Sequence, residues 1–288
     1  MRPVVVTVAV VMLAGTAFAQ PTPTPGVVRG ATGRVGGAPP PESAQKPKND
    51  EQPQVDQDQG QKTESSAQKA IRFAVGWNAD RAKEALAAVP EDARSGADYR
   101  IARALAPMAE GKLDDALNAT TQVAKDFPSA PAPEYYRGEI LYWKGKVKDA
   151  EGAWKAAATR AQAEREKQPK NGWASYYLGA AKLQLRDFAA AKTALEAALA
   201  NGASKPLVNY QLGLLAGAQQ RWQDAVDLFT AALTEDSGLA YAYYYRGLSW
   251  SKLKKTDQLL LDMDRFLTLA PESPDAIKAR SILASTRR

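Results

Sequence analysis

The chain contains no cysteine and no histidine. Without cysteine there is no disulfide framework and no thiol for lipid attachment. Without either residue the usual transition-metal sites and the common imidazole acid/base pairs cannot be assembled, which removes most enzyme classes. Long apolar runs are also scarce, since nothing in the body of the chain approaches the ~18 consecutive apolar residues of a membrane span. β-Branched alternation never persists, so strand signals are missing. The glycine-rich phosphate loop, the G-x-S-x-G elbow and the H-E-x-x-H zinc pattern do not occur. The expectation is a protein without metal or other cofactor and without catalysis. A formal net charge of +6 is a mild bias that serves solubility, and with no recognition motif in view nucleic acid is not an expected partner.

What is present falls into three parts. Residues 1–19 begin with Arg2, continue through an apolar run from Val4 to Ala14 and end in Ala17-Phe18-Ala19. This is the pattern of a secretory signal peptide cut after Ala19, which predicts a periplasmic or secreted protein with no membrane segment in the mature chain. Residues 20–65 hold eight of the chain's 18 prolines, with five Lys or Arg against six Asp or Glu and few apolar residues. Such a composition cannot bury enough surface to offset its ordering entropy, so it reads as a disordered tether with a reach on the order of 35 to 40 Å. Residues 66–288 turn to Ala, Leu, Lys, Glu, Gln and Asp at helical spacing, broken by turn signals such as "EGKLDD", "KGKVKD" and "QQRWQD". The body is therefore all-α, made of helix pairs.

The pairs repeat. Small residues at Ala70, Ala104, Gly138, Gly179, Gly213 and Gly247 are separated by 34, 34, 41, 34 and 34 residues. A second series, Ala82, Ala116, Ala150, Ala191, Ala225 and Leu259, keeps the same separations 12 residues later. Two independent landmarks on one period define a structural unit. The words "YYLGAAKLQLRDFAAAKTALEAAL" and "YQLGLLAGAQQRWQDAVDLFTAAL" carry it most clearly. In the second, Leu212-Gly213 stand where L-G is expected, and Ala225 and Phe229 where A-x3-F is expected. The chain thus resembles a tetratricopeptide repeat array of the exported bacterial type. The resemblance implies an α-α superhelix with units near 63–96, 97–130, 131–171, 172–205, 206–239 and 240–273, closed by a capping helix at 274–288.

Packing explains the small residues. Two antiparallel helices approach closely only where glycine or alanine stands on each contact face, a role for Gly138, Ala150, Gly179, Ala191, Gly213, Ala225 and Gly247. Leu195 and Phe229 are then expected to fill the groove between neighbouring pairs. The 41-residue interval adds seven residues between Ala157 and Asn171, close to two helical turns, which predicts a charged projection that leaves the stack intact. Pro107 falls inside a first helix and predicts a kink or a shortening. In the cap, Ser273 or Asp275 is the expected N-cap, with Ala276, Ile277, Leu283 and Ala284 on one side.

The family resemblance implies that the first helix of each pair lines a concave surface where partner peptides or helices lie. Tyr135, Tyr176, Tyr210 and Tyr244 stand three residues before successive glycines. Together with Glu139, Tyr142, Trp143 and Tyr241 they form the candidate partner-binding groove, an aromatic ladder belonging to the last four units. Glu139 reads as a polar contact or an ion pair on the helix surface. The functional expectation is a non-catalytic scaffold that binds one or more envelope proteins. The rival is a carbohydrate-binding or polysaccharide-export protein whose tyrosines stack on sugar rings.

Overall fold

The computed structural model describes residues 64–287. The expected signal peptide and nearly all of the expected tether lie outside the described residues. Among the described residues there are thirteen α-helices, one 3-10 turn at Glu91–Ser95 and no strand. In chain order the helices are α1 (Ser66–Val75), α2 (Ala79–Ala87), α3 (Ala97–Ala109), α4 (Leu113–Asp126), α5 (Pro131–Trp143), α6 (Val147–Lys167) and α7 (Gly172–Gln184). They continue as α8 (Phe188–Ala200), α9 (Lys205–Ala218), α10 (Trp222–Glu235), α11 (Ala240–Lys252), α12 (Thr256–Leu269) and α13 (Ala276–Thr286). Six antiparallel pairs and a final single helix reproduce the expected solenoid.

Local chemistry sets the ends. Ser65 opens α1 with a capping box: its hydroxyl accepts the Gln68 N–H and the Gln68 side chain accepts the Ser65 N–H, both at 3.2 Å. Asn78, Asn171 and Asp187 cap α2, α7 and α8 through their side chains. Every hairpin turn then passes through one left-handed residue: Trp77, Gly111, Gly145, Arg186, Gln220 and Lys254 have φ between 59° and 78°. Their spacing is the same 34, 34, 41, 34, 34. The turn is thus a third landmark of the repeat, and four units close it without glycine.

The four glycines on the period sit beneath a large side chain of the second helix of their own pair. A Cβ at Gly138 would come within 2.5 Å of Trp154, at Gly179 within 2.7 Å of Leu195, at Gly213 within 2.7 Å of Phe229 and at Gly247 within 2.7 Å of Met263. Leu195 and Phe229 therefore seal their own hairpins, and Phe229 also stacks on Tyr245 of the next unit at 6.3 Å. Ala150, Ala191 and Ala225 are wholly buried.

Three expectations need correction. Pro107 does not shorten α3, which runs 13 residues like α5 and α7, because the ring falls in the last turn. The seven-residue insertion extends α6 to 21 residues. Gln162, Ala163, Glu166 and Lys167 of that extension are exposed, but its inner side packs, with Ala161 buried and Glu164 accepting from Asn171 Nδ2 at 2.7 Å. In α13, Ala276, Ala279 and Leu283 are buried, whereas Ile277 is 78% exposed and Ala284 faces solvent. Asp275 stands at the N-cap without a capping bond, since its carboxylate is engaged elsewhere.

The two ends of the array also meet. The Arg72 guanidinium pairs with Asp236, which is 6% exposed and also accepts the Gly238 N–H at 2.9 Å. The Ala240 N–H points to the Gly76 carbonyl at 3.5 Å, and a Cβ at Gly76 would lie 3.2 Å from the Gly238 carbonyl oxygen. Trp77, 2% exposed, packs edge-on to Trp143 at 5.6 Å and against Tyr241 at 6.2 Å. The turn of the first hairpin is thus seated against the segment that leads into α11.

Candidate functional site

The second half of the array is rich in rings that point at one another. Tyr135, Tyr176, Tyr241 and Tyr244 are at most 5% exposed, and Tyr210 is half-buried. Tyr135 packs on Tyr136 at 5.2 Å and Tyr177 at 5.9 Å, while Tyr244 lies 4.9 Å from Phe266. Tyr142 packs against Trp154 of its own hairpin at 6.1 Å. Trp143 stacks on Tyr241 at 5.9 Å with 25° between the planes. The expected ladder is therefore a packed aromatic interior closed on one side by Trp77.

Within that interior a recess of about 50 Å³ remains. Tyr135, Glu139 and Trp143 reach it from α5, Tyr176 from α7, Tyr210 and Gln211 from α9 and Tyr241 from α11, with Val75 and Gly76 completing the wall. Gln211 is 3% exposed; its Nε2 donates to the Tyr135 hydroxyl at 2.9 Å and to the Tyr176 hydroxyl at 3.4 Å. Its Oε1 has no hydrogen-bond partner, and neither has Glu139 Oε1, although both atoms are sealed from solvent. Glu139 is thus not the surface contact expected of it. Burial pushes its carboxyl up to about 8, offset only in part by the nearby Trp154 indole. Burial likewise raises the Tyr135, Tyr176 and Tyr210 phenols far above their usual range, so they stay neutral.

Trp77, Gln211 and Val75 were not singled out in the sequence. Gln211 has a signal there: the words are "YYRG", "YYLG", "YQLG" and "YYRG", and glutamine replaces the second tyrosine only once. Trp77 has a weaker one, a large ring at a turn position where the next two units use glycine. A second polar cluster lies at the end of the array, where Asp275 accepts from the Tyr241 hydroxyl at 3.2 Å and the Tyr244 hydroxyl at 3.4 Å. Among the described residues no group of acidic side chains is placed to hold a metal ion, and no helix is long and apolar enough to cross a membrane.

Fold and recess together define a helical-hairpin solenoid that wraps an aromatic interior. The tetratricopeptide repeat pattern matches residues 101–166, 176–240 and 210–257, and the chain belongs to that family. Among solved structures it is similar to a thermophilic tetratricopeptide repeat protein of Thermus thermophilus, at 17% identity over 67% of this chain and 99% of that one, with a TM-score of 0.50. It is also similar to a chain of the Cut9-Hcn1 hetero-tetramer of the APC/C, at 16% identity and TM-score 0.48, covering 77% of this chain and 42% of that one. The TPR2AB domain of yeast Sti1, in complex with pHSP90, is similar at 13% identity and TM-score 0.38 over 77% of this chain and 97% of that one. No curated protein matches the chain. At 17% identity the likeness to the Thermus thermophilus protein shows the fold alone.

Proposed function

We propose that this protein is an exported, non-catalytic scaffold of the cell envelope that holds a segment of a partner protein against the mouth of the aromatic recess. Family membership supports the interaction role. The observation that carries the placement is the apolar and aromatic rim at the mouth of the recess, a kind of surface enriched at binding faces. Where half-buried Val75, Trp143 and Tyr210 meet solvent they form the rim that a bound segment would touch. Export rests on the N-terminal residues alone. Stacking on sugar rings calls for open ring faces, and Tyr135, Tyr176, Tyr241 and Tyr244 do not offer them.

Photo-crosslinking in the native cell tests this reading, with the reactive group at Tyr210 on the rim and at exposed Lys167 on α6 as the control. A discrete protein adduct from Tyr210 alone is the expected result. No adduct from Tyr210, or the same adducts from both positions, would remove the recess mouth as the contact.

A further inference from the structure

The first hairpin reaches the far end of the array through one ring and two guanidinium groups. Trp77 lies against Trp143 at 5.6 Å and Tyr241 at 6.2 Å. Arg72 and Arg81 flank the Phe73 ring at 4.7 and 5.0 Å, and Arg72 pairs with Asp236. Successive units share whole helix faces, whereas this contact is small and carries defects. The Trp77 backbone is left-handed, with φ 60°, a strained conformation for a bulky residue. Its indole N–H is sealed from solvent without an acceptor. The Ala240 N–H meets the Gly76 carbonyl only at 3.5 Å. Val75 and Gly76 do not seat flush, since the recess of about 50 Å³ lies between them and the tyrosines of α5, α7 and α9. Strain and an unmet donor gathered on one contact mark it as a contact that opens.

We propose that the first hairpin is a displaceable plug, and that the seat of Trp77 receives an aromatic side chain, accompanied by a basic one, from the partner segment. The chemistry of that occupant is read from what withdrawal leaves behind. Beside Trp143 and Tyr241 it leaves a space the size of an indole, walled by rings, which another ring fills best. At Asp236 it leaves a carboxylate whose side chain is 5% exposed, stripped of its guanidinium. Arg72 does not suffer equally, because its Nε also donates to Glu64 at 3.0 Å and keeps that partner. The imbalance falls on Asp236, and a lysine or arginine of the incoming segment corrects it. An acidic or wholly aliphatic segment supplies neither group. The hairpin itself stays folded, since a small rotation at each unit junction, summed over the array, parts the two ends. The partner in this proposal rests on the scaffold reading, whereas the opening of the plug does not.

Two measurements on the whole chain test it. In the unaltered protein, hydrogen exchange followed by NMR should show the Trp77 indole N–H at least about tenfold less protected than the amides within α1 and α7, because withdrawal bares the ring while both helices stay folded. The second measurement uses the plug's own turn, acetyl-Arg-Phe-Ala-Val-Gly-Trp-amide, as the probe. Trp77→Gly empties the seat and suits a left-handed turn. By calorimetry this variant should bind the peptide saturably and at least about tenfold more tightly than the unaltered chain, whose own ring competes. Trp replaced by Ala, or Arg by Gln, in the peptide should weaken binding at least about tenfold.

Indole exchange that occurs only with global unfolding would overturn the plug, and that readout decides the matter if Trp77→Gly does not fold. No peptide binding to folded Trp77→Gly, equal affinity for both chains, or indifference to the ring and the cation of the peptide would overturn the seat. A partner crosslinked at Tyr210 alongside any of those results would leave the scaffold reading in place and sink the plug alone. A plug that opens and a seat that takes the peptide, with no adduct at Tyr210, would stand while the scaffold reading fell.

Discussion

The period of the array is enforced one residue at a time, by side chains that are missing. At Gly213 an added Cβ would lie 2.7 Å from the Phe229 ring, which is itself fully buried and has nowhere to retreat. Gly213→Leu is expected to destabilise by about 1 to 3 kcal/mol in urea denaturation, since overpacking forces strained rotamers or helix displacement. Gly152 is the internal control: it lies within α6 with nothing within 4 Å of the added carbon, so Gly152→Ala should stabilise by about 0.5 to 1 kcal/mol. Equal effects at the two sites would mean that helix propensity, and not interhelical contact, sets the cost. Glu139 gives the pH counterpart. Its carboxyl sits at about 8 in the folded chain against an ordinary 4.5, so between those values the native state keeps a proton that the unfolded chain has lost. Its contribution is therefore fully present below pH 4.5 and is lost as pH rises to about 8. Glu139→Gln should be about 3 to 5 kcal/mol more stable than the unaltered chain above pH 8 and nearly equal to it at pH 4.5, measured by denaturation across that range. An unchanged gap at the two ends would show that the carboxyl is solvated. At this scale the glycines were legible in the sequence, because spacing alone reveals a close approach. The Glu139 environment was not, because it is made by Gln211 and Tyr176, residues from other pairs.

Elements read well from the sequence where their causes are local, and poorly where they are not. Caps, turn residues and alternating apolar faces place the pairs, and the extra two turns of α6 follow from the 41-residue interval. The cap helix shows the limit. Its buried side, Ala276, Ala279 and Leu283, is set by how α13 leans on α12, which turns Ile277 outward. Asp275 ties the start of α13 to α11. Two phenols of α11 donate to its carboxylate, and burial raises its pKa while Lys278 and the Tyr241 and Tyr244 hydroxyls lower it in smaller measure. Asp275→Ala is expected to leave the hydroxyl of Tyr241 without its acceptor, at a cost of about 1 to 3 kcal/mol. The loss should appear first as faster amide exchange in α13 and the end of α12, with α7 and α8 unaffected. Exchange that accelerates evenly through the chain would mean that the cap is not docked by this contact.

On the scale of the whole molecule the array departs from a one-dimensional stack. In an open solenoid each unit touches only its neighbours, stability is a sum of nearest-neighbour terms, and the end units fray first. Here Arg72 of α1 reaches Asp236, 164 residues away, and Trp77 fills the space between Trp143 and Tyr241. No local pattern could disclose such a contact, which is why the sequence suggests an open ladder where the fold has a closed interior. The ion pair is 13% and 5% exposed at its two side chains, so removing one partner strands a buried charge. Asp236→Ala is therefore expected to cost about 3 to 5 kcal/mol. It should also split the unfolding transition in two, because the first hairpin loses its coupling to the last and reverts to fraying. Amide exchange should rise in residues 66–87 ahead of residues 188–235, and acrylamide should quench tryptophan emission more readily as Trp77 and Trp143 are uncovered. A single transition with the original tryptophan shielding would show that the aromatic contacts close the array without the ion pair. The closure would then rest on Trp77, whose ring holds its turn in place despite a left-handed backbone that glycine would adopt more readily.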